Sequence, residues 1–149
     1  MYDATITLFN YRKKDDTWRT LVFQGVDLIE HISERATTQG HSNQDAVEII
    51  LRTRSDRTAM AVDGDGNSVP VKFVTPKEYA ELQSVEGFFT LAPEKDFIVV
   101  GDHRSSEVMK DDDYEEGLYT EMNYECNGVY MITNTTWYSL LPHFEIGGR

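Results

Sequence analysis

Asp63, Asp65 and Asn67 are the residues whose types and spacing come closest to a metal site in this sequence. They alternate along the segment DGDGNS, as oxygen ligands do at the start of a calcium-binding loop. A full calcium loop continues with glycine at its sixth position and glutamate at its twelfth. Ser68 and Val74 occupy those positions here, between predicted strands. We therefore expect a hairpin turn, with calcium as the weaker interpretation.

The run DDDYEE at residues 111–116 is the densest group of carboxylates. Paired carboxylates can hold magnesium or act as acid and base. That chemistry requires carboxylates on different elements around a pocket, whereas adjacent ones are usually solvated. A negative run also suits the N-terminus of a following helix. The run therefore predicts no catalytic residues.

The remaining residues that could carry chemistry are isolated from one another. His31, His41, His103 and His143 form no HExxH, HxH or Cys–His pattern, so a zinc site lacks its usual spacing. Cys126 has no catalytic context nearby, and neither GxSxG, GxGxxG nor a phosphate loop is present. We expect a protein that is not an enzyme and uses no cofactor. An enzyme with a triad of unpredictable spacing is the third alternative.

The charge balance argues against tight nucleic-acid binding. The net charge is −12, from 26 acidic and 14 basic residues, whereas contacts from lysine and arginine to phosphate dominate nucleic-acid affinity. The basic groups are small, at residues 12–14 and at Arg52, Arg54 and Arg57, and aspartate lies beside each. We expect no sequence-specific nucleic-acid partner. In a ring of copies, such a chain would give an acidic channel past which DNA could slide.

The single cysteine and the N-terminal sequence favour a cytosol, or a particle assembled in one. One cysteine cannot form an internal disulfide bond. The start MYDATITLFNY lacks the basic and apolar regions of a signal peptide. No apolar run approaches the roughly 18 residues that a membrane helix needs, so we expect no membrane partner.

Short alternating stretches rich in β-branched and aromatic residues recur along the chain, which is typical of strands. Turn signals separate them at intervals of roughly 8–12 residues. The pattern predicts one mainly β domain over residues 1–149, a sandwich or barrel of about eight or nine strands with one or two short helices. The last residues, from Gly147 onward, are expected to be flexible. The predicted strands are 2–11, 17–24, 46–53, 58–62, 69–74, 88–91, 96–101, 129–133 and 136–141, and 26–32 is a further candidate.

Residues 75–84 give the clearest helix. Thr75 can cap the helix with Glu78 as its capping-box partner, and Pro76 occupies the first helical position. Residues 112–124 are ambiguous, because their apolar spacing is helical but Gly117 weakens the helix.

Two segments contain candidate interface residues. Residues 33–45 are polar and predict a long loop, an element that often binds partners; its candidates are Thr37, Thr38, Gln39, Gly40 and His41. Near the C-terminus, the aromatic residues Trp137, Tyr138 and Phe144 are of the type that anchors interfaces. The alternative is that these aromatic side chains fill the core, which we expect for at least half of them.

The sequence resembles a family of small proteins from phages of Gram-positive bacteria. The likeness runs through nearly the whole chain and is carried by TITLFNY, TTQG, AVEI and LAPEKDFIVVGD. It is strongest in the ending, where GVYMIT is followed by WYSLLPHFEIGGR. None of these strings is a chemical motif.

This resemblance implies a virion protein from the head–tail morphogenesis region, assembled in the bacterial cytoplasm. It implies a head-closure (stopper) or connector subunit that forms a ring below the portal, with portal, connector and tail proteins as partners. The loop at 33–45 and the DGDGNS hairpin would then contact neighbouring subunits or line the channel.

Two other functions remain open. A capsid decoration or minor capsid protein would be present in many copies per shell, whereas a closure ring is present once. A small acidic host-directed inhibitor, such as a DNA mimic, would need carboxylates spaced along one face. The acidic residues of this sequence are spread, apart from residues 111–116.

Overall fold

The computed structural model describes residues 2–31, 34–37, 40–43 and 45–149. Within these residues the chain forms twelve strands, two α-helices and one 3-10 helix. In chain order the elements are β1 Tyr2–Arg12, β2 Thr17–His31, β3 Glu34–Thr37, β4 Gly40–Asn43, β5 Ala46–Arg52, β6 Thr58–Val62, β7 Ser68–Phe73, α1 Pro76–Glu81, β8 Phe88–Phe89, β9 Phe97–Val100, β10 Met109–Lys110, the 3-10 helix Asp111–Asp113, α2 Leu118–Glu125, β11 Val129–Tyr138 and β12 His143–Gly148.

Six strands close into a barrel, which confirms the predicted fold class. The order is β1-β9-β11-β12-β5-β2, and β2 returns to pair with β1. Every pairing around the ring is antiparallel. Closure removes the unpaired edges that an open sheet of these strands would expose.

Four further strands extend the sheet outside the barrel. β6 joins β2 at the pair Val22 and Val62, and β7 pairs antiparallel with β6. β8 pairs parallel with β7, and β10 pairs with the start of β2. The turn between β6 and β7 contains the DGDGNS segment, as the sequence predicts.

The alternation of side chains along the strands produces two cores, because neighbouring residues point to opposite faces. The inward residues fill the barrel, and they include Ile6, Leu8, Leu21, Phe23, Ile49, Ile98, Ile132 and Ile146. The outward residues Phe9, Trp18, Phe97 and Val99 form a second core that α2 covers with Leu118. β1 and β9 are therefore apolar on both faces.

The two helices begin at residues with clear local causes. At α1, the Thr75 hydroxyl accepts the Glu78 N–H at 3.2 Å, and the Glu78 carboxylate accepts the Thr75 N–H at 3.2 Å. The predicted capping box is therefore confirmed, although α1 ends at Glu81. The ambiguous segment forms α2, preceded by Gly117 with φ of 88°. Among the described residues, no helix is long and apolar enough to cross a membrane.

Two predicted strand breaks are wrong, because β-bulges resemble turns in the sequence. The break at Gly25 is a bulge with φ of 71° inside the single strand β2. The break at Asn134 is an irregularity within β11, between Ile132 and Asn134. The two predicted strands 129–133 and 136–141 are therefore one strand, β11, which forms a hairpin with β12.

Two further segments form strands that the sequence does not predict. Gly147 and Gly148 lie in β12, paired with β11 on one side and β5 on the other, because the barrel needs this strand to close. The predicted loop at 33–45 contains the antiparallel hairpin of β3 and β4, in which Thr37 pairs with Gly40. Thr38 and Gln39 lie outside the described residues.

Candidate interaction surfaces

The turn between β11 and β12, residues 138–142, exposes large apolar side chains. Leu140 is 86% exposed, Leu141 82% and Tyr138 45%. We call this turn the apolar tip. Contiguous exposed apolar groups on a small domain typically mark a contact with another molecule. The tip is therefore a candidate interface.

Contacts at its base hold the tip in one conformation. The Tyr138 ring stacks on His143 with centroids 5.0 Å apart, and the Pro142 carbonyl accepts the Thr53 N–H at 3.1 Å. Leu141 adopts a φ of 51°, which is uncommon for a residue other than glycine. Because its base is anchored in this way, the turn would lose little conformational entropy when its leucines bind another molecule.

The three aromatic interface candidates occupy different environments. Tyr138 belongs to the exposed tip. Trp137 is half-buried, with the Arg57 guanidinium 4.7 Å from its ring and its indole N–H donating to the Thr53 hydroxyl at 3.3 Å. Phe144 is only 2% exposed and packs 4.7 Å from Phe73 in the core. Phe144 therefore fills the core, as the alternative interpretation of the aromatic residues expects.

Arginines lie beside the apolar tip. Arg52 pairs with His143 across β5 and β12, and Arg54 and Arg57 are exposed in the turn after β5. We call Arg52, Arg54 and Arg57 the basic border. The basic border and the two most exposed leucines among the described residues thus lie beside each other.

A groove of about 670 Å³ lies between the β1–β2 turn, the β6–β7 turn, the segment after α1 and the segment before β10. We call it the acidic groove, because its rim contains the carboxylates of Asp15, Asp63, Asp65, Glu86 and Glu107. Its apolar lining comprises Val69, Pro70, Val85 and Val108. Val108 is 73% exposed.

The floor of the acidic groove holds two arginines and a tyrosine. The Arg19 guanidinium donates to the carbonyls of Val85 and Phe88, and Arg12 donates to the Leu82 carbonyl. Arg12 Nε and the Tyr79 hydroxyl are buried beneath this lining, and Arg19 lies within side-chain hydrogen-bond reach of Tyr79.

Burial also dominates the environment of Tyr79, whose side chain is 2% exposed. Desolvation raises the pKa of its hydroxyl to about 12. The hydroxyl therefore stays protonated at neutral pH.

Asp96 is a buried carboxylate next to this region and 1% exposed. It accepts the Asn10 side-chain N–H at 2.9 Å and the backbone N–H groups of Tyr11 and Ala92, each at 3.0 Å. Burial raises its pKa to about 7. A carboxyl that titrates near neutrality is frequent in active sites. The three donors to Asp96 instead join β1 to the turn before β9, and Asp96 does not line the acidic groove.

The calcium candidates form a hairpin turn instead of an open ligand set. One Asp63 carboxylate oxygen accepts the N–H groups of Asp65 at 3.0 Å and Asn67 at 2.9 Å. Among the residues that the structure describes, no group of three or more His, Cys, Asp or Glu could hold a metal ion. Asp63 therefore has a structural role in closing the turn.

The acidic run packs partly against the β1–β2 turn. Asp111 accepts the Trp18 indole N–H at 2.9 Å and the Leu118 N–H at 3.0 Å. The Asp112 N–H donates to Asp16 at 3.1 Å. Asp111 thus fixes the start of α2 on the barrel, and the other carboxylates remain on the surface.

The candidates on the β3–β4 hairpin can be placed only by their backbone. Thr37 lies on β3, and Gly40 and His41 lie on β4. Within the described residues these two strands form a separate two-stranded sheet. An isolated two-stranded hairpin is marginally stable in water, which makes it a second candidate contact element.

The fold and these surfaces define a class: a small closed β-barrel with an exposed apolar tip and an acidic groove. Residues 1–149 match the DUF6751 family, which is a family of unknown function. The chain belongs to this family. No curated protein and no solved structure matches the chain.

Proposed function

We propose that this chain is a head–tail joining protein of a tailed bacteriophage, a head-closure or connector subunit that forms a ring below the portal. The observation that carries the proposal is the presence of two unlike surfaces on one barrel, the apolar tip with its basic border and the acidic groove. Unlike surfaces associate head to tail, and head-to-tail association closes into rings when the rotation permits.

The resemblance to phage proteins supports the same proposal. It is strongest over WYSLLPHFEIGGR, which contains the apolar tip and strand β12. The part of the sequence that most resembles the phage family is thus the part with the best candidate interface.

The charge of the chain suits a ring that DNA traverses. Each copy contributes −12, and an acidic wall repels phosphates instead of retaining them. In this proposal the portal or connector and the tail proteins are the partners, and the location is the virion.

Deletion of the gene from the phage that encodes it tests this function. We expect electron microscopy to find separate heads and tails, with the packaged DNA lost from the heads. A plasmid copy of the wild-type gene should restore joined particles. Joined particles with fragile heads would indicate a decoration protein instead.

A host-directed acidic inhibitor is the second candidate function, and the surface beside α2 favours it. This surface combines the run at 111–116 with Glu121 and Glu125, whose carboxyls share a hydrogen bond that raises the pKa of Glu121. For an inhibitor, the deletion would leave normal, joined particles and reduce only their number.

A further inference from the structure

We propose that the apolar tip of one copy docks in the acidic groove of the next copy, so that the ring contact is tip-in-groove. This inference rests on the proposed function, because it names the contact that would build the ring. Its occupant is a second copy of this chain.

Opposite charges at the two surfaces support this pairing. The basic border adjoins the tip, and five carboxylates surround the groove. Copies that each carry −12 repel one another at most relative orientations. A contact that brings Arg54 and Arg57 toward Glu86 and Glu107 is one that the charges favour.

The apolar surfaces also match. Leu140 and Leu141 are more than four-fifths exposed, and the groove offers Val69, Val85 and the exposed Val108. A volume of about 670 Å³ lies within the usual range of pockets that enclose a compact ligand. Docking would remove both apolar surfaces from water together.

A mixing experiment with two blocked variants tests the contact. The tip variant is Leu140→Asp with Leu141→Asp, and the groove variant is Glu86→Lys with Glu107→Lys. We expect wild-type protein to self-associate in sedimentation velocity as its concentration rises. Each variant alone should self-associate at least tenfold more weakly.

The mixture is the decisive measurement. The tip variant keeps an intact groove, and the groove variant keeps an intact tip, so equal amounts of both should form a 1:1 heterodimer and nothing larger. A heterodimer that stops at two copies is specific to a head-to-tail contact.

Matched controls separate this contact from nonspecific effects. Tyr124→Asp alters an exposed aromatic residue on α2 that lies outside the tip and the groove lining. Glu81→Lys with Glu94→Lys reverses two exposed charges outside the groove lining. Both control variants should associate like the wild type, and circular dichroism should give all variants the wild-type spectrum.

Three outcomes would overturn the tip-in-groove contact. They are a monomeric wild type at every concentration, blocked variants that associate like the wild type, and a mixture without heterodimer. None of them alters the result of the gene deletion, so failure of the contact and failure of the proposed function can be told apart.

Discussion

Asp96 is the side chain whose chemistry departs furthest from its ordinary behaviour. Its carboxylate connects β1 to the turn before β9 through Asn10, Tyr11 and Ala92. These donors favour the charged form, while burial disfavours it more strongly and raises the pKa from 3.8 to about 7. The residue therefore contributes to a pH dependence of stability.

We expect the free energy of unfolding to fall as the pH rises through neutrality. The folded pKa lies above the unfolded one, so the folded state binds the proton more tightly and its advantage is lost as the pH passes 7. Between pH 6 and pH 8 this contribution should decrease by about 1.4 kcal/mol. Urea denaturation at each pH measures it.

Asp96→Asn is the control for this assignment. The amide has nearly the same shape and does not titrate, so the variant should lose most of the decrease between pH 6 and pH 8. A variant with the full wild-type decrease would place the titration on another group.

At the scale of elements, the β6–β7 turn is held close to the segment before β10. A Cβ atom on Gly64 would lie 2.0 Å from the Ser105 carbonyl oxygen, which is far inside contact distance. Thr20 reinforces this approach, because its hydroxyl accepts the Ser105 N–H at 3.0 Å. Glycine is therefore needed at position 64 for steric reasons.

We predict that Gly64→Ala destabilises the fold by about 1–3 kcal/mol, the usual range for overpacking. Asp65→Ala is the matched variant in the same turn, and as an exposed substitution it should change stability by roughly 0.5 kcal/mol or less. Equal denaturation midpoints for the two variants would show that the turn shifts away from the Ser105 carbonyl without loss of stability.

The sequence predicted the elements whose causes are local. Alternation along β1, β5 and β6 and the Thr75 capping box depend on neighbouring residues, and the structure has them where they were expected. β12 was missed because its Gly-Gly end is typical of a flexible tail, whereas the strand is held between β11 and the distant strand β5. A Cβ on Gly147 would lie 2.3 Å from the Asn134 side chain, so the glycine reflects a close approach that looks like flexibility in the sequence.

The candidate surfaces were less predictable than the strands. Residue type alone proposed Phe144 as an interface residue, whereas its pairing with Trp137 across β11 and β12 turns it into the core. The acidic groove combines four segments far apart in the chain. The pairings of β6, β7, β8 and β10 outside the barrel bring those segments together, and no local pattern encodes these pairings.

At the scale of the whole molecule, the distribution of charge matters more than its sum. Two copies that each carry a net charge of −12 repel one another at most relative orientations. The basic border and the groove rim offer one pairing that the charges favour. The proposed ring uses this pairing, with the tip of one copy against the groove of the next.

The most direct test of this account is the number and position of copies in purified phage particles, measured by quantitative mass spectrometry and electron cryomicroscopy. We predict a single ring at the neck between portal and tail, with far fewer copies than capsid subunits. Copies spread over the capsid shell, or particles that contain none of the protein, would contradict the proposed head–tail joining function.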